Sequence, residues 1–332
     1  MISKKFLTDL EIDRISHALE DGISSLARVM GVNQHQIEPV KKLSQIKKSE
    51  FGTYFLKYPG IPCVVSDAMT HWPAMQWDFQ NLKDRFGNIE IMVQPSLREK
   101  ENKYTVQFRD YIEYVLGKKN ASDLLQVGET TIPSSERLYG LAFHPFSTHP
   151  DLFNEFDECP YFVEDYFSGL IGERFRTAMR AFRHHWLFIG PKGSLSQFHS
   201  DHHDVMTYLA QIKGRKLVLL VSPNETEKIT SPEGPLNPFS ICMHTFKSYK
   251  EVTFFAAVLE PGQMLFLPRG WNHYVLGLTP SITLSKDIVN IFNFGEYFLN
   301  LFVRDLPYLA TKLNHLPAHV KKQIGINWKI RD

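Results

Sequence analysis

Cysteine is scarce in this chain: three residues among 332, Cys63, Cys159 and Cys242, with no C-x-x-C spacing. That argues against a disulfide framework and against a thiolate zinc site, and it predicts a reducing, intracellular setting. Charge of one sign is also missing. Against 37 lysines and arginines stand 36 aspartates and glutamates, so bulk electrostatics gives no reason to expect nucleic acid or an anionic membrane as a partner. Long hydrophobic runs are absent too, since segments such as "LVLLV" at 217–221 are far too short to cross a bilayer. The two lysines near the N-terminus precede no apolar stretch. The expectation is a soluble, cytoplasmic protein without repeats or low-complexity linkers.

What is present is apolar material: 43% of residues are hydrophobic and 13% aromatic, enough for a core in one large or two ordinary domains. From Phe6 to Met30, Leu10, Ile12, Ile15, Leu19, Ile23, Leu26 and Met30 recur at steps of three and four, with Thr8 and Asp9 as caps, which predicts an amphipathic helix. "WDFQNLKDRFG" predicts another that stops at Gly87. After about residue 185 short β-rich runs follow one another between turn signals: "WLFIG", "VMTYLAQI", "KLVLLVSP", "VTFFAAVLE", "QMLFLP", "HYVLGL" and "SITLSKDIV". Such a succession predicts a sandwich or barrel. From Ile291 an aromatic and leucine-rich stretch returns to helical spacing and offers an apolar face for the barrel or for a second copy of the chain.

The stretch "SQFHSDHHDV", Ser196 to Val205, contains H-x-D twice: His199 with Asp201, and His202 with Asp204. A third match is His149-Pro150-Asp151, where the proline argues against a regular central strand. Fourteen histidines and 36 acidic residues in 332 positions produce about 1.5 H-x-D/E matches by chance, so the motif alone is weak. Context strengthens it. On a strand, residues i and i+2 share a face, which lets His199 and Asp201 approach one ion together. Downstream, in "LEPGQMLFLPRGWNHYV", His273 opens a strand after a Pro-Arg-Gly turn and can complete a triad of two histidines and one carboxylate. That donor set suits ferrous iron, which keeps three positions open, better than a closed zinc site. "IKGRK" follows one strand later, where Lys216 or Arg215 can face a buried anion, or the turn can be a solvated hairpin tip.

The succession "LFIGPKGSLSQFHSD", "QIKGRKLVLLVSP" and "PGQMLFLPRGWNHYV" resembles the JmjC and cupin-like Fe(II)/2-oxoglutarate dioxygenases, most nearly the small hydroxylases related to the asparaginyl hydroxylase of the hypoxia-inducible factor. The resemblance spans roughly Phe51 to Val289 and includes "KYPGIPCVVSDAMTHWPAMQWDFQNL" and "ERLYG". Counted back from the glycine of "KGRK", His199 makes the segment two residues longer than in the hypoxia hydroxylase, and His202 makes it one shorter. A one-residue change flips every side chain of a strand, which favours His199, Asp201 and His273 as the ligands. By the same resemblance Lys216 pairs with the distal carboxylate of 2-oxoglutarate, and Tyr139 and Ser196 contribute hydroxyls. Thr207 stands where many members carry asparagine and is a further candidate contact to the cosubstrate, since threonine also donates a hydrogen bond; Asn272 and Gln263 depart from the family pattern too, and the "HHD" of His202 to Asp204 is unexplained. It lines a substrate mouth, binds a second ion or is polar loop.

The resemblance implies a mainly β fold with helical additions. A double-stranded β-helix (jelly-roll, cupin) core from about residue 185 lies within a dioxygenase domain at 51–290, between an N-terminal helical region at 1–50 and a C-terminal one at 291–332. It further implies Fe(II), 2-oxoglutarate and dioxygen, with a C–H bond of a protein or peptide side chain hydroxylated while 2-oxoglutarate is decarboxylated to succinate. Alternatives are a hydroxylase of a free amino acid or small molecule, an N-methyl-lysine demethylase, and a non-oxidative metal-binding cupin. No nucleic acid or membrane partner is expected. A homodimer through the C-terminal helices is.

Overall fold

The computed structural model describes residues 7–94, 103–124, 137–157, 159, 161, 184–231, 234–239 and 247–305. Eight strands form its centre: β1 (His185–Gly190), β2 (Leu195–His199), β3 (Met206–Lys213), β4 (Lys216–Val221), β5 (Phe254–Leu259), β6 (Met264–Leu267), β7 (Asn272–Gly277) and β8 (Ser281–Ile288). They divide four and four between two sheets, β6-β3-β8-β1 in one and β5-β4-β7-β2 in the other, with the chain changing sheet after every strand except β4, which is the jelly-roll arrangement. The sequence argument assumes a strand through His199 and Asp201 but does not find its start, because the glycine- and serine-rich approach hides a short run; it is Leu195–His199. Earlier segments extend both sheets. Ile37–Pro39 runs parallel to β5, while Lys41–Leu43, Cys63–Val65 and Gly140–Phe143 join the other sheet.

Alternation along each strand decides which side chains meet between the sheets. On β4, Val218 and Leu220 point into the sandwich with Leu209, Leu265 and Val275, whereas Leu217, Leu219 and Val221 point outward. Lys216 shares the parity of Val218 and Leu220, so this lysine, 1% exposed, faces the interior. Arg215 has the opposite parity and bonds Glu260 at the surface. The intervening Gly214 has φ of +72°, and a Cβ there would sit 2.0 Å from the Pro280 carbonyl oxygen. The "KGRK" turn is thus a tight passage between sheets, which fixes where Lys216 enters.

The amphipathic stretch expected as one helix from Phe6 to Met30 is two, α1 (Asp9–Asp21) and α2 (Ile23–Met30), broken at Gly22 with φ of 103°. Thr8 caps α1 in a reciprocal box with Glu11. Ile12, Ile15, Leu26 and Met30 cover the outward face of β4 and β7. Ion pairs from Asp13 to Lys192 (2.6 Å) and from Asp9 to Arg137 (2.7 Å) hold α1 on the barrel. The predicted helix at "WDFQNLKDRFG" is Phe79–Phe86, and it packs in the core outside the larger sheet. Of the C-terminal region, a short helix at Phe294–Phe298 and a π-helical turn at Leu299–Arg304 are described, and the rest of the 291–332 expectation lies outside the described residues.

Candidate functional site

His199 closes β2 and His273 lies directly opposite it on β7, with ring centroids 4.1 Å apart. Their pairing depends on a bulge. Between His199↔His273 and Ser196↔Val275, β2 spends one residue more than β7. Ser196 and His199 therefore both turn inward although they are three apart, the re-aiming that bulges perform. This corrects the sequence argument on two points: parity is not preserved along this strand, and Asp201 is not on a strand at all, because β2 ends at His199. Asp201 instead reaches the histidines from the turn, with its Oδ1 3.8 Å from His273 Nε2.

One ligand atom each from His199, Asp201 and His273 lies within 4.8 Å of the others, and this is the one such group among the described residues. His202, His203, Asp204 and the His149/Asp151 pair are not in it. Backbone carbonyls set the tautomers. His199 Nδ1 lies 2.7 Å from the Gln197 oxygen and His273 Nδ1 3.3 Å from that of Trp271. A carbonyl only accepts, so Nδ1 carries the proton and Nε2 keeps its lone pair for an ion. Burial pushes the Asp201 carboxyl up, but the positive charge that His273 and His199 carry when protonated, together with the Thr207 hydroxyl, outweighs it and holds the group below its ordinary range. Thr207 donates to Asp201 Oδ2 at 2.6 Å, which occupies one oxygen and orients the other. Two imidazoles, one carboxylate and no thiolate fit ferrous iron.

The same residues line a cavity of about 90 Å³ that also contains Tyr139, Ser196, Thr207, Lys216, Trp186, Ser285 and Asp287. By register, Lys216 pairs with Gly277 while His273 faces Leu220, so the lysine and the triad sit at opposite ends of a four-residue span, about 13 Å of strand. Lys216 donates to the Tyr139 hydroxyl at 3.0 Å, which leaves the phenolic hydrogen to be donated onward. Burial alone pushes the Lys216 amine down to about 7 and pushes the Tyr139 phenol well up. A buried amine beside a neutral phenol is a receptor for a carboxylate. Trp186, Ser285 and Asp287 were not singled out from the sequence. The available signal was the polar residue at every second position of β8: Ser281, Thr283, Ser285 and Asp287.

Asn272 and Gln263, the other departures, serve the scaffold. Asn272 donates to Thr226, and Gln263 accepts from the Glu260 amide across the Pro-Gly turn. His184 and His185 sit buried at the entry to β1. The "HHD" residues form a tight turn on the wall of an open cleft of about 460 Å³ that shares Asp201 with the inner cavity and includes Asn300, Arg304 and Asp305.

A family model described as "Cupin-like domain" matches residues 50–292. The chain belongs to the cupin-like domain family. Among curated proteins, this cupin-like chain is 27% identical over 251 residues to the mouse "2-oxoglutarate and iron-dependent oxygenase JMJD4", covering 70% of this chain and 56% of that protein. The human protein of the same name is 27% identical over 315 residues, covering 86% and 70%. The "Arginine-specific demethylase JMJ22" of Arabidopsis thaliana is 26% identical over 299 residues, covering 86% and 53%. The chain thus spans little more than half the length of the mouse and plant relatives. The matched residues contain all eight strands of the two sheets. Among the described residues, no helix is long and apolar enough to cross a membrane.

Proposed function

We propose that this chain is an Fe(II)- and 2-oxoglutarate-dependent oxygenase that hydroxylates a C–H bond of a protein or peptide side chain. The observation that carries this reading is Lys216: a buried amine held against Tyr139, in the same small cavity as the two histidines and the aspartate. His199, Asp201 and His273 would hold the iron. Lys216 and Tyr139 would take the distal carboxylate of 2-oxoglutarate, with Ser196 beside them. When bound, iron with its cosubstrate and dioxygen supplies the oxidising power, and 2-oxoglutarate leaves as succinate and carbon dioxide. The chain's own part is positional. The carbonyls of Gln197 and Trp271 fix both imidazoles, Thr207 orients Asp201, and Leu209, Val275 and Phe188 keep the cavity dry.

Polypeptide substrate is supported by the open cleft beside Asp201 and by the demethylase names among the relatives. Those names also favour a second reading, oxidative N-demethylation. Formaldehyde release from a methylated peptide would select it over stable hydroxylation, which adds the mass of one oxygen. The dioxygenase domain spans 51–290 in this reading, the location is cytoplasmic, and residues 291–332 form the dimer contact.

The test is spectroscopic and kinetic. Anaerobic Fe(II) protein given 2-oxoglutarate should develop a visible metal-to-ligand charge-transfer band, and His199→Ala or Asp201→Ala should abolish both the band and succinate formation. Full turnover in either variant overturns the assignment.

A further inference from the structure

The turn at His202–Asp204 occupies a particular place. It begins directly after Asp201 and ends before Thr207, whose hydroxyl holds the second oxygen of that carboxylate. His199 and His273 are each fixed by a strand and by a backbone carbonyl. Asp201 has no strand beneath it, so its direction is set by Thr207 on one side and by this turn on the other.

The turn is not relaxed. His203 (φ 59°) and Asp204 (φ 55°) are successive non-glycine residues in the left-handed region, a conformation that persists only where the surroundings impose it. Those surroundings include three anchors from residues 293–305. His203 Nε2 lies 3.0 Å from Asp305 Oδ2. The Asp204 carboxylate accepts from Asn300 Nδ2, and its carbonyl accepts from Asn293 Nδ2 at 3.0 Å. Arg304 in turn donates to Asn300 Oδ1 at 3.0 Å and fixes which way that amide faces.

We propose that Asn300 and Asp305 are positioning residues for Asp201: through the strained His203–Asp204 turn, the segment after β8 sets the angle at which the carboxylate meets its two histidines. This rests on the metal-site reading above. It gives the "HHD" sequence a role that is neither ligand nor idle loop, and it makes a segment about a hundred residues downstream part of the metal centre.

The experiment uses Co(II) as a visible probe of the site in the full chain. Asn300→Ala and Asp305→Ala should each bind Co(II) about tenfold more weakly than the unaltered protein, in line with the loss of partners that orient a ligand. The Co(II) ligand-field band should shift, the metal-free melting temperature should stay close to that of the unaltered protein, and Asp305→Glu should restore most of the affinity. Folded alanine variants with unaltered affinity and band overturn the proposal. Should those variants not fold, amide exchange on the unaltered chain decides: coupling is reciprocal, so Co(II) must slow exchange at 299–305 as well as at 199–207. Slowing confined to 199–207 overturns it. His199→Ala separates the two readings. If Co(II) binding does not depend on His199, the metal-site reading itself fails.

Discussion

Lys216 is the residue whose energetics are most exposed to test. A buried amine with no carboxylate beside it among the described residues destabilises the free protein in order to receive an anion, a trade familiar at functional sites. Lys216→Met should therefore raise the stability of the metal-free protein at pH 6 by at least about 1 kcal/mol in denaturant melts, while abolishing 2-oxoglutarate binding. The sign of the pH dependence follows from its depressed value, about 7 in the native state against 10.5 unfolded. Between those values the unfolded chain binds a proton that the native chain does not, so this group's contribution to stability rises with pH across that window. Below about pH 7 the penalty is fully present. The stabilising effect of Lys216→Met should accordingly shrink from pH 6 to pH 9. For the same reason, 2-oxoglutarate should bind with uptake of nearly one proton at pH 8.5 and almost none at pH 6, measured by calorimetry in buffers of differing ionisation enthalpy.

Among the elements, the β3–β4 turn carries the most geometric constraint. Gly214 combines a φ of +72° with a Cβ position 2.0 Å from the Pro280 carbonyl oxygen. Gly214→Ala should destabilise the protein by about 2 kcal/mol or more and displace Lys216, seen together as a lower melting temperature and weaker 2-oxoglutarate binding. The strands themselves were largely legible, since seven apolar runs between turn signals correspond to β1 and β3 through β8. β2 was legible only through its H-x-D pattern and not as an apolar run, and it is the element that matters most at the site. Its bulge breaks the alternation that any pattern-based reading assumes, and a bulge is a property of pairing with β7 rather than of either strand alone. The break at Gly22 is a case of the opposite kind: the apolar spacing continues through it while the backbone does not.

At the scale of the whole molecule, the helices bind the sandwich from outside, and among the described residues one cluster of exposed apolar side chains follows β8. Ile291, Phe294, Phe298 and Leu299 remain 69%, 43%, 47% and 41% exposed around the short helix after β8. Such a cluster in the C-terminal region is what the proposed homodimer would cover. Light scattering should give twice the mass of the chain, and Phe298→Glu should halve it; a monomeric mass for the unaltered chain removes the proposal.

The sequence by itself determined the class of fold, the types of the candidate ligands and the identity of the turns, because strand alternation, glycine conformations and donor chemistry are local properties. It also placed Lys216 and Tyr139 as candidates, through blocks whose order is a property of the chain. The tertiary structure alone decided the rest. Which H-x-D faces His273 depends on a bulge formed between strands, and Thr207 spends its hydroxyl on Asp201 because β3 returns past the end of β2. His203 and Asp204 draw their meaning from Asn300 and Asp305, partners about a hundred positions away. Contacts at that separation leave no periodicity to read, since they arise only when the sandwich closes.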